Sequence, residues 1–141
     1  MADKIILLDT DFAFELLHKN PDAENFIVQN NYDIITISSV TYFEMIKSCI
    51  NKTQLNNLQK QLPQFFYPIP IEAEISNLAG NFLNAYHLSH DIKINDALIA
   101  ATSVHYNIEF ATCNFKHFQF IPLLMLAKHN VSPSRKGGSL F

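Results

Sequence analysis

The segment Lys4-Ile-Ile-Leu-Leu-Asp9 is a run of four apolar residues that ends in an acid. A short, wholly apolar run is typical of a strand buried on both faces of a sheet. An acid that closes such a strand lies at the carboxyl edge of a parallel sheet, where ligands bind in α/β folds. The segment therefore predicts both the centre of the fold and one side chain of a functional site.

Beyond this segment, apolar runs alternate with helical patterns. Further strands are predicted over residues 33–38, 65–69, 108–112 and, as a weak edge strand containing Pro122, 120–124. A first helix is predicted after a cap at Thr10 or Asp11. Further helices are predicted over residues 23–30, from 39 or 41 to about 49, 52–62 with Pro63 as its stop, 72–87 and 96–104. Strands that alternate with helices indicate βαβ units. We therefore expect a three-layer α/β/α sandwich with a central, mostly parallel sheet.

Length and composition indicate one domain. The chain has 141 residues, of which 48% are hydrophobic, so it can bury a core without disulfides or metals. We expect this domain to span residues 1–131 and the tail 132–141, which carries two of the three glycines, to be disordered.

The cysteines and the N-terminal run bear on the compartment, and Cys49 and Cys113 are read as free thiols. The apolar run of four residues before Asp9 is too short for a signal peptide or a membrane span, which predicts a cytoplasmic protein.

Charge and glycine content limit the possible ligands. The formal net charge is −3, which does not by itself point to nucleic acid, although a bound divalent ion changes the local sign of an acidic site. Gly80 is the only glycine before the tail, so no glycine-rich phosphate loop is present. Ordinary dinucleotide and P-loop sites are therefore excluded.

Three acids stand out by position, and each also has an ordinary structural explanation. Asp9 could simply cap the next helix, while Glu44 could close a capping box with Thr41. Asp96 could pair with the dipole of a helix that Asn95 caps. All three nevertheless follow a strand or begin a helix, so a parallel sheet would bring them together. Clustered carboxylates repel one another, and oxygen ligands of this kind suit Mg²⁺ or Mn²⁺.

Four motifs, taken in order, resemble the PIN-domain family and in particular the VapC-type toxins of bacterial toxin–antitoxin pairs. They are Ile-Leu-Leu-Asp9-Thr-Asp, Ile-Ser-Ser-Val-Thr-Tyr-Phe-Glu44, Ile-Asn-Asp96-Ala-Leu-Ile-Ala-Ala-Thr and Phe-Ala-Thr112-Cys-Asn114-Phe-Lys-His117-Phe. The resemblance extends over about residues 4–125, and the Asp96 motif is its most specific part.

The resemblance implies an acidic Mg²⁺ or Mn²⁺ site that cuts RNA, a cognate antitoxin and a homodimer. By motif position, Asp9, Glu44 and Asp96 would be the metal ligands. Asn114 and His117 occupy the two places where many members have a further acid. Asn114 is therefore added to the catalytic candidates, and His117 could move a proton or touch a phosphate.

Other residues carry weaker expectations. Thr10 and Thr112 could position water or phosphate, or simply act in turns. Three lysines near the motifs are candidates for RNA phosphate contacts: Lys47, Lys93 and Lys116. Three aromatic residues are candidates for a partner interface: Phe12, Phe14 and Phe43. No role is assigned to His18, His87, His90, His105 or His129.

Two alternatives stay open. Asp9-Thr-Asp11 after an apolar strand is similar to the nucleophile and acid of haloacid dehalogenase-type phosphatases, although Ala13 stands where that motif has Thr or Val. The second alternative is a catalytically silent binding module, in which the acids are only caps.

Overall fold

The structure, a computed structural model, describes residues 2–133. The strands in this part of the chain are β1 (Ile5–Leu8), β2 (Ile34–Ser38), β3 (Tyr67–Ile69), β4 (Glu109–Ala111) and β5 (Met125–Leu126). The α-helices are α1 (Thr10–Leu17), α2 (Pro21–Gln29), α3 (Ser39–Ser48), α4 (Lys52–Phe65), α5 (Ala73–His90) and α6 (Ile94–Tyr106). A short 3-10 helix, Phe115–His117, follows β4.

The strands form one five-stranded sheet in the order β3-β2-β1-β4-β5, and every pairing is parallel. The apolar strand β1 lies at the centre, between β2 and β4. Pro68 lies in β3, an edge strand, where a residue without a backbone N–H is tolerated. The predicted parallel sheet is confirmed.

Alternation along the strands divides the core between the two faces of the sheet. Ile6 and Leu8 pack with α1, α2 and α4 on one face, whereas Leu7 packs with α5 and α6 on the other. All three side chains are fully buried, which explains why β1 lacks the polar alternation of a half-exposed strand. The predicted three-layer sandwich is therefore confirmed.

Two predicted segments differ from the structure at proline residues. Pro63 does not stop α4, because it lies in the last turn, where Leu62 remains buried and accepts a hydrogen bond from the Phe66 N–H (2.9 Å). The predicted strand over 120–124 is wrong. Leu123 adopts a left-handed backbone (φ 66°) after Pro122, and pairing with β4 passes to β5 instead.

Other sequence predictions have mixed outcomes. Cys49 and Cys113 are free thiols, as expected. Between residues 2 and 133, no helix combines the length and apolarity needed to cross a membrane. Val131 is buried against the core, whereas the predicted disordered tail lies outside the described residues apart from positions 132 and 133. The domain boundary at 131 stays a prediction.

Candidate active site

The carboxyl edge of the sheet carries a cleft of about 330 Å³, which we call the acidic cleft. Its walls come from the ends of β1 and β4 and from α1, α3 and α6. The lining residues are Asp9, Thr10, Asp11, Phe14, Glu44, Asp96, Asn114 and His117. The four candidate catalytic residues predicted from the sequence therefore line one cleft.

Asp9 combines a structural role with its place in the cleft. It is the N-cap of α1, and its Oδ1 accepts a hydrogen bond from the Thr10 N–H (2.8 Å). Its Oδ2 accepts one from the Thr112 hydroxyl (2.8 Å), and its backbone N–H donates to the Ala111 carbonyl (2.8 Å). The carboxylate is thus fixed between two parallel strands, with only 7% of the residue exposed.

Glu44 is not part of a capping box. Helix α3 begins at Ser39, and Ser38 caps it through a bond from the Val40 N–H, so Thr41 lies inside the helix. Glu44 Oε1 accepts a hydrogen bond from the Thr10 hydroxyl (2.6 Å), and Oε2 accepts one from the Asn95 amide (2.9 Å). The side chain is therefore directed across the cleft rather than back along its own helix.

Asp96 lies in the first turn of α6. The helix begins at Ile94 with Lys93 as its N-cap, so the prediction that Asn95 caps it is wrong. Asn95 instead uses its amide to hold Glu44 from the opposite wall. Asp96 Oδ2 lies 3.3 Å from His117 Nδ1, so the histidine belongs to this site.

Asp11 is an additional acid of the cleft, expected from the sequence only as a cap or as part of the phosphatase motif. Its Oδ1 accepts hydrogen bonds from the N–H groups of Phe12 (2.7 Å) and Cys113 (3.3 Å). Its charge also acts on Asp9, whose pKa it raises. The Asp-x-Asp spacing at the start of α1 was the available signal for a paired site.

The three aspartates of the cleft have raised pKa values. Burial, followed by the charge of Asp11, raises the pKa of Asp9 from 3.8 to about 8. Burial also raises the pKa of Asp11. It raises the pKa of Asp96 as well, and the interaction with His117 partly opposes that shift. Because the charge of Asp11 raises the pKa of Asp9, the two carboxyl groups titrate as an interacting pair.

The donor set fits a hard divalent cation. Carboxylate and amide oxygens face the cleft, and within residues 2–133 no lysine or arginine side chain lines it to neutralise them. In the same part of the chain, no three acidic, histidine or cysteine side chains are already drawn together tightly enough to enclose an ion. A bound cation would offset the repulsion between carboxylates drawn together at this cleft.

The segment after β4 connects the site to the C-terminal part of the chain. Thr112 Oγ1 donates to Asp9 and accepts a hydrogen bond from the Asn114 N–H (3.0 Å). The His129 ring bonds to the Thr112 carbonyl through Nε2 (2.7 Å) and accepts from the Val131 N–H through Nδ1 (3.0 Å). His129, which received no role from the sequence, therefore supports the segment that holds Asp9.

A larger apolar cavity lies elsewhere on the molecule. Its volume is about 470 Å³, and it opens beside the first residues of β1, β2 and β3, Ile5, Ile34 and Tyr67. None of the acidic-cleft residues lines it. Titratable groups and strand polarity, rather than cavity volume, therefore select the acidic cleft.

A family comparison fits this geometry. The family model described as "PIN domain" matches residues 6–120, which include every residue of the acidic cleft. The chain belongs to the PIN domain family. The resemblance indicated by the four sequence motifs is thereby confirmed.

Solved PIN-domain structures share the fold. VapBC2 from Rickettsia felis, bound to a promoter DNA fragment, is 24% identical with a TM-score of 0.73, covering 89% of this chain and 99% of that chain. VapBC-1 from nontypeable Haemophilus influenzae is 25% identical with a TM-score of 0.71, covering 87% and 96%. VapC20 from Mycobacterium tuberculosis, a sarcin-ricin loop cleaving toxin, is 15% identical with a TM-score of 0.55, covering 74% and 85%. These likenesses place the chain among VapC-type folds.

One curated relative is not named as a toxin. The lipoprotein signal peptidase of Buchnera aphidicola subsp. Baizongia pistaciae (strain Bp) is 30% identical over 119 residues, which are 84% of this chain and 61% of that protein. This PIN domain thus spans about three fifths of the length of that relative.

Proposed function

We propose that this PIN domain is a metal-dependent endoribonuclease and the toxin of a type II toxin–antitoxin pair. The observation that supports the activity most directly is the acidic cleft, where acids from three separate chain segments line one space. RNA as the substrate class and a divalent ion as the cofactor rest on the family resemblance and on the donor chemistry.

We assign Asp9, Glu44 and Asp96 as the ligands of Mg²⁺ or Mn²⁺, with Asn114 as a further catalytic residue that offers an amide oxygen. When bound, the ion lowers the pKa of water and stabilises the oxygen that leaves during phosphodiester hydrolysis. Thr10 and Asn95 keep Glu44 directed at the cleft, while Thr112 does the same for Asp9. These hydrogen bonds already restrict the side chains of Glu44 and Asp9, so substrate binding costs little further conformational entropy.

His117 is assigned a proton-handling role. Its Nδ1 lies beside Asp96 Oδ2, and its side chain is 51% exposed, so the ring touches the site and is open to the solvent from which substrate would approach. An imidazole held against a carboxylate is suited to hold a proton near the leaving oxygen. In many family members the same segment carries an acid where this chain has His117.

The test is RNA cleavage in cells. Induced expression of the wild type is expected to arrest growth and to create new RNA 5′ ends. Asp96→Asn is expected to reduce both by about 100-fold or more, because it removes a metal-binding charge while keeping the side-chain shape. Asp22→Asn, at an exposed acid of α2, is the matched control. Equal arrest, or the same new ends, with wild type and Asp96→Asn would contradict the proposal.

The phosphatase alternative is separated by a second pair of variants. If the chain used Asp11 as the acid of a haloacid dehalogenase-type phosphatase, Asp11→Ala would abolish activity and Asp96→Ala would not. The nuclease proposal expects Asp96→Ala to be inactive on RNA. A silent binding module would show no Mn²⁺ uptake in isothermal titration, whereas the proposed metal site should bind Mn²⁺.

Partners follow from the same proposal. Solved relatives include toxin–antitoxin complexes, among them one from Klebsiella pneumoniae with a TM-score of 0.70. We propose a cognate antitoxin and a homodimer for this chain, acting on RNA in the cytoplasm. Co-expression of a short open reading frame adjacent to this gene should relieve the growth arrest if it encodes the antitoxin.

A further inference from the structure

A second cleft adjoins the acidic cleft and shares a wall with it. We call it the lysine cleft. It has a volume of about 200 Å³ and is lined by His90, Asp91, Ile92, Lys93, Asp96, Lys116 and His117. Asp96 and His117 belong to both clefts, so a ligand that passes over this pair enters one from the other.

The two clefts differ in charge. The acidic cleft has no lysine or arginine among its described lining residues, whereas the lysine cleft has Lys93 and Lys116. A polyanion centred over the acids therefore meets fixed positive charge in the neighbouring cleft. Three lysines are candidates by sequence, and the structure separates them, because Lys47 lines neither cleft.

The size of the lysine cleft limits what it can hold. About 200 Å³ lies below the roughly 300–1,000 Å³ typical of sites that enclose a whole small molecule. A phosphate with part of its sugar is a closer fit than a complete nucleotide. The exposed His90 ring stacks on Phe120 (4.1 Å between centroids, 16° between planes) at the rim, where an adjacent base could stack in turn.

We propose that the lysine cleft binds the RNA phosphate next to the one being cut, with Lys93 and Lys116 as its cationic contacts. This inference rests on the proposed ribonuclease function and adds the direction in which the strand leaves the acidic cleft. RNA is favoured over an acidic protein segment because the shared wall joins the lysine cleft to the site of phosphodiester hydrolysis.

Asp91 competes with RNA for this cleft. Its Oδ2 accepts a bond from Lys93 Nζ (2.8 Å), and both side chains are largely exposed, at 75% and 58%. Exposed ion pairs of this kind are weak, so a phosphate can take over the lysine. Asp91 also has a left-handed backbone (φ 50°), which asparagine tolerates well, so Asp91→Asn removes the competing charge without disturbing the turn.

The experiment measures binding without cleavage. A fluorescein-labelled single-stranded RNA of about ten nucleotides is titrated by anisotropy in EDTA over a series of salt concentrations. The double variant Lys93→Ala/Lys116→Ala should weaken binding about tenfold. It should also reduce the slope of log K against log salt by about 0.7 for each phosphate that the protein no longer neutralises. Asp91→Asn should tighten binding about threefold.

Lys60→Ala is the matched control, since Lys60 is exposed in α4 and lines neither cleft. The inference is overturned if the double variant binds RNA as the Lys60→Ala protein does, or if Asp91→Asn weakens binding. It is separable from the proposed function. Absence of cleavage by the wild type would count against the nuclease, whereas normal cleavage with unchanged binding in the double variant would count against the lysine cleft alone.

Discussion

At the scale of single residues, Asp9 links the site to the stability of the fold. Its carboxyl is buried between β1 and β4 and hydrogen-bonded to Thr112, yet its pKa is raised to about 8 because burial outweighs those bonds. The ion-free protein therefore keeps a proton on Asp9 at neutral pH. Cation binding at this cleft must displace that proton, so affinity for Mg²⁺ or Mn²⁺ should rise with pH.

The pH dependence of stability follows from the same shift. Folded Asp9 holds a proton that the unfolded chain releases above 3.8, so folding takes up a proton between 3.8 and about 8. The free energy of unfolding in EDTA should therefore fall as pH rises through this range, by on the order of a few kcal/mol. Thermal melts at a series of pH values measure it.

Asp9→Asn should flatten that dependence, because an amide does not titrate. The exposed acid Asp22 gives the control, and Asp22→Asn should melt with the same pH profile as the wild type. A wild-type melting temperature in EDTA that does not fall between about pH 4 and about pH 8 would contradict a protonated Asp9 in the folded protein.

The limits of sequence reasoning are clearest at individual polar residues. The acids Asp9, Glu44 and Asp96 were found from strand ends and family motifs, since parallel topology brings those positions to one edge. The hydrogen-bond partners of these acids were not predicted. Thr41 already had a local explanation as part of a capping box, and Asn95 had one as an N-cap. The bond from Asn95 to Glu44 spans 51 residues, and no local pattern reports such a contact.

At the scale of elements, four of the five strands were predictable, and the last edge strand was not. The apolar composition of β1 and β2 specifies buried central strands. The last strand is only two residues long, Met125–Leu126, and its place depends on the chain turning at Leu123. Pairing with β4 in the assembled fold selects Met125 and Leu126. Local propensity does not report this pairing, and it placed the predicted strand too early, at residues 120–124.

The segment after β5 is an element without regular structure that supports the site. His129 hydrogen-bonds to Thr112 and Val131 and packs edge-on against Phe12 (4.8 Å) and Phe26 (5.7 Å). His129→Ala should lower the free energy of unfolding by about 2–3 kcal/mol, because it removes these hydrogen bonds and the packing of the ring. Urea unfolding measures this decrease.

The same variant should reduce RNA cleavage, because Thr112 then holds Asp9 less firmly. His87→Ala, an exposed position near the end of α5, is the control and should leave both stability and cleavage unchanged. If His129→Ala cleaved RNA at the wild-type rate under conditions where it is folded, the segment would be structural only.

At the scale of the whole molecule, the exposed apolar side chains bear on assembly. Of the three aromatic residues predicted for a partner interface, Phe12 is wrong, because it is fully buried in the core beside α2. Phe14 is half-buried and lines the acidic cleft, whereas Phe43 is 54% exposed on α3. Ile50, seven residues further on, is 83% exposed.

The proposed homodimer is expected to use this surface of α3. Phe43→Ser should weaken self-association about tenfold without lowering the melting temperature, because the side chain is not part of the core. Sedimentation at several protein concentrations measures it. Val28→Ser, at another exposed apolar residue (72%) on α2, is the control. Equal effects of the two variants would place the contact elsewhere.

The bond from the Thr112 hydroxyl to Asp9 joins residues 103 positions apart. During translation, the first carboxylate leaves the ribosome long before the strand that must pair with it has been made. A growing chain can fold its early βα units, yet the cleft lacks one wall until the segment after β4 has been made. A cell that makes this protein would therefore meet the proposed RNA-cutting activity only after that late segment has left the ribosome, which leaves time for an inhibitor to be present first.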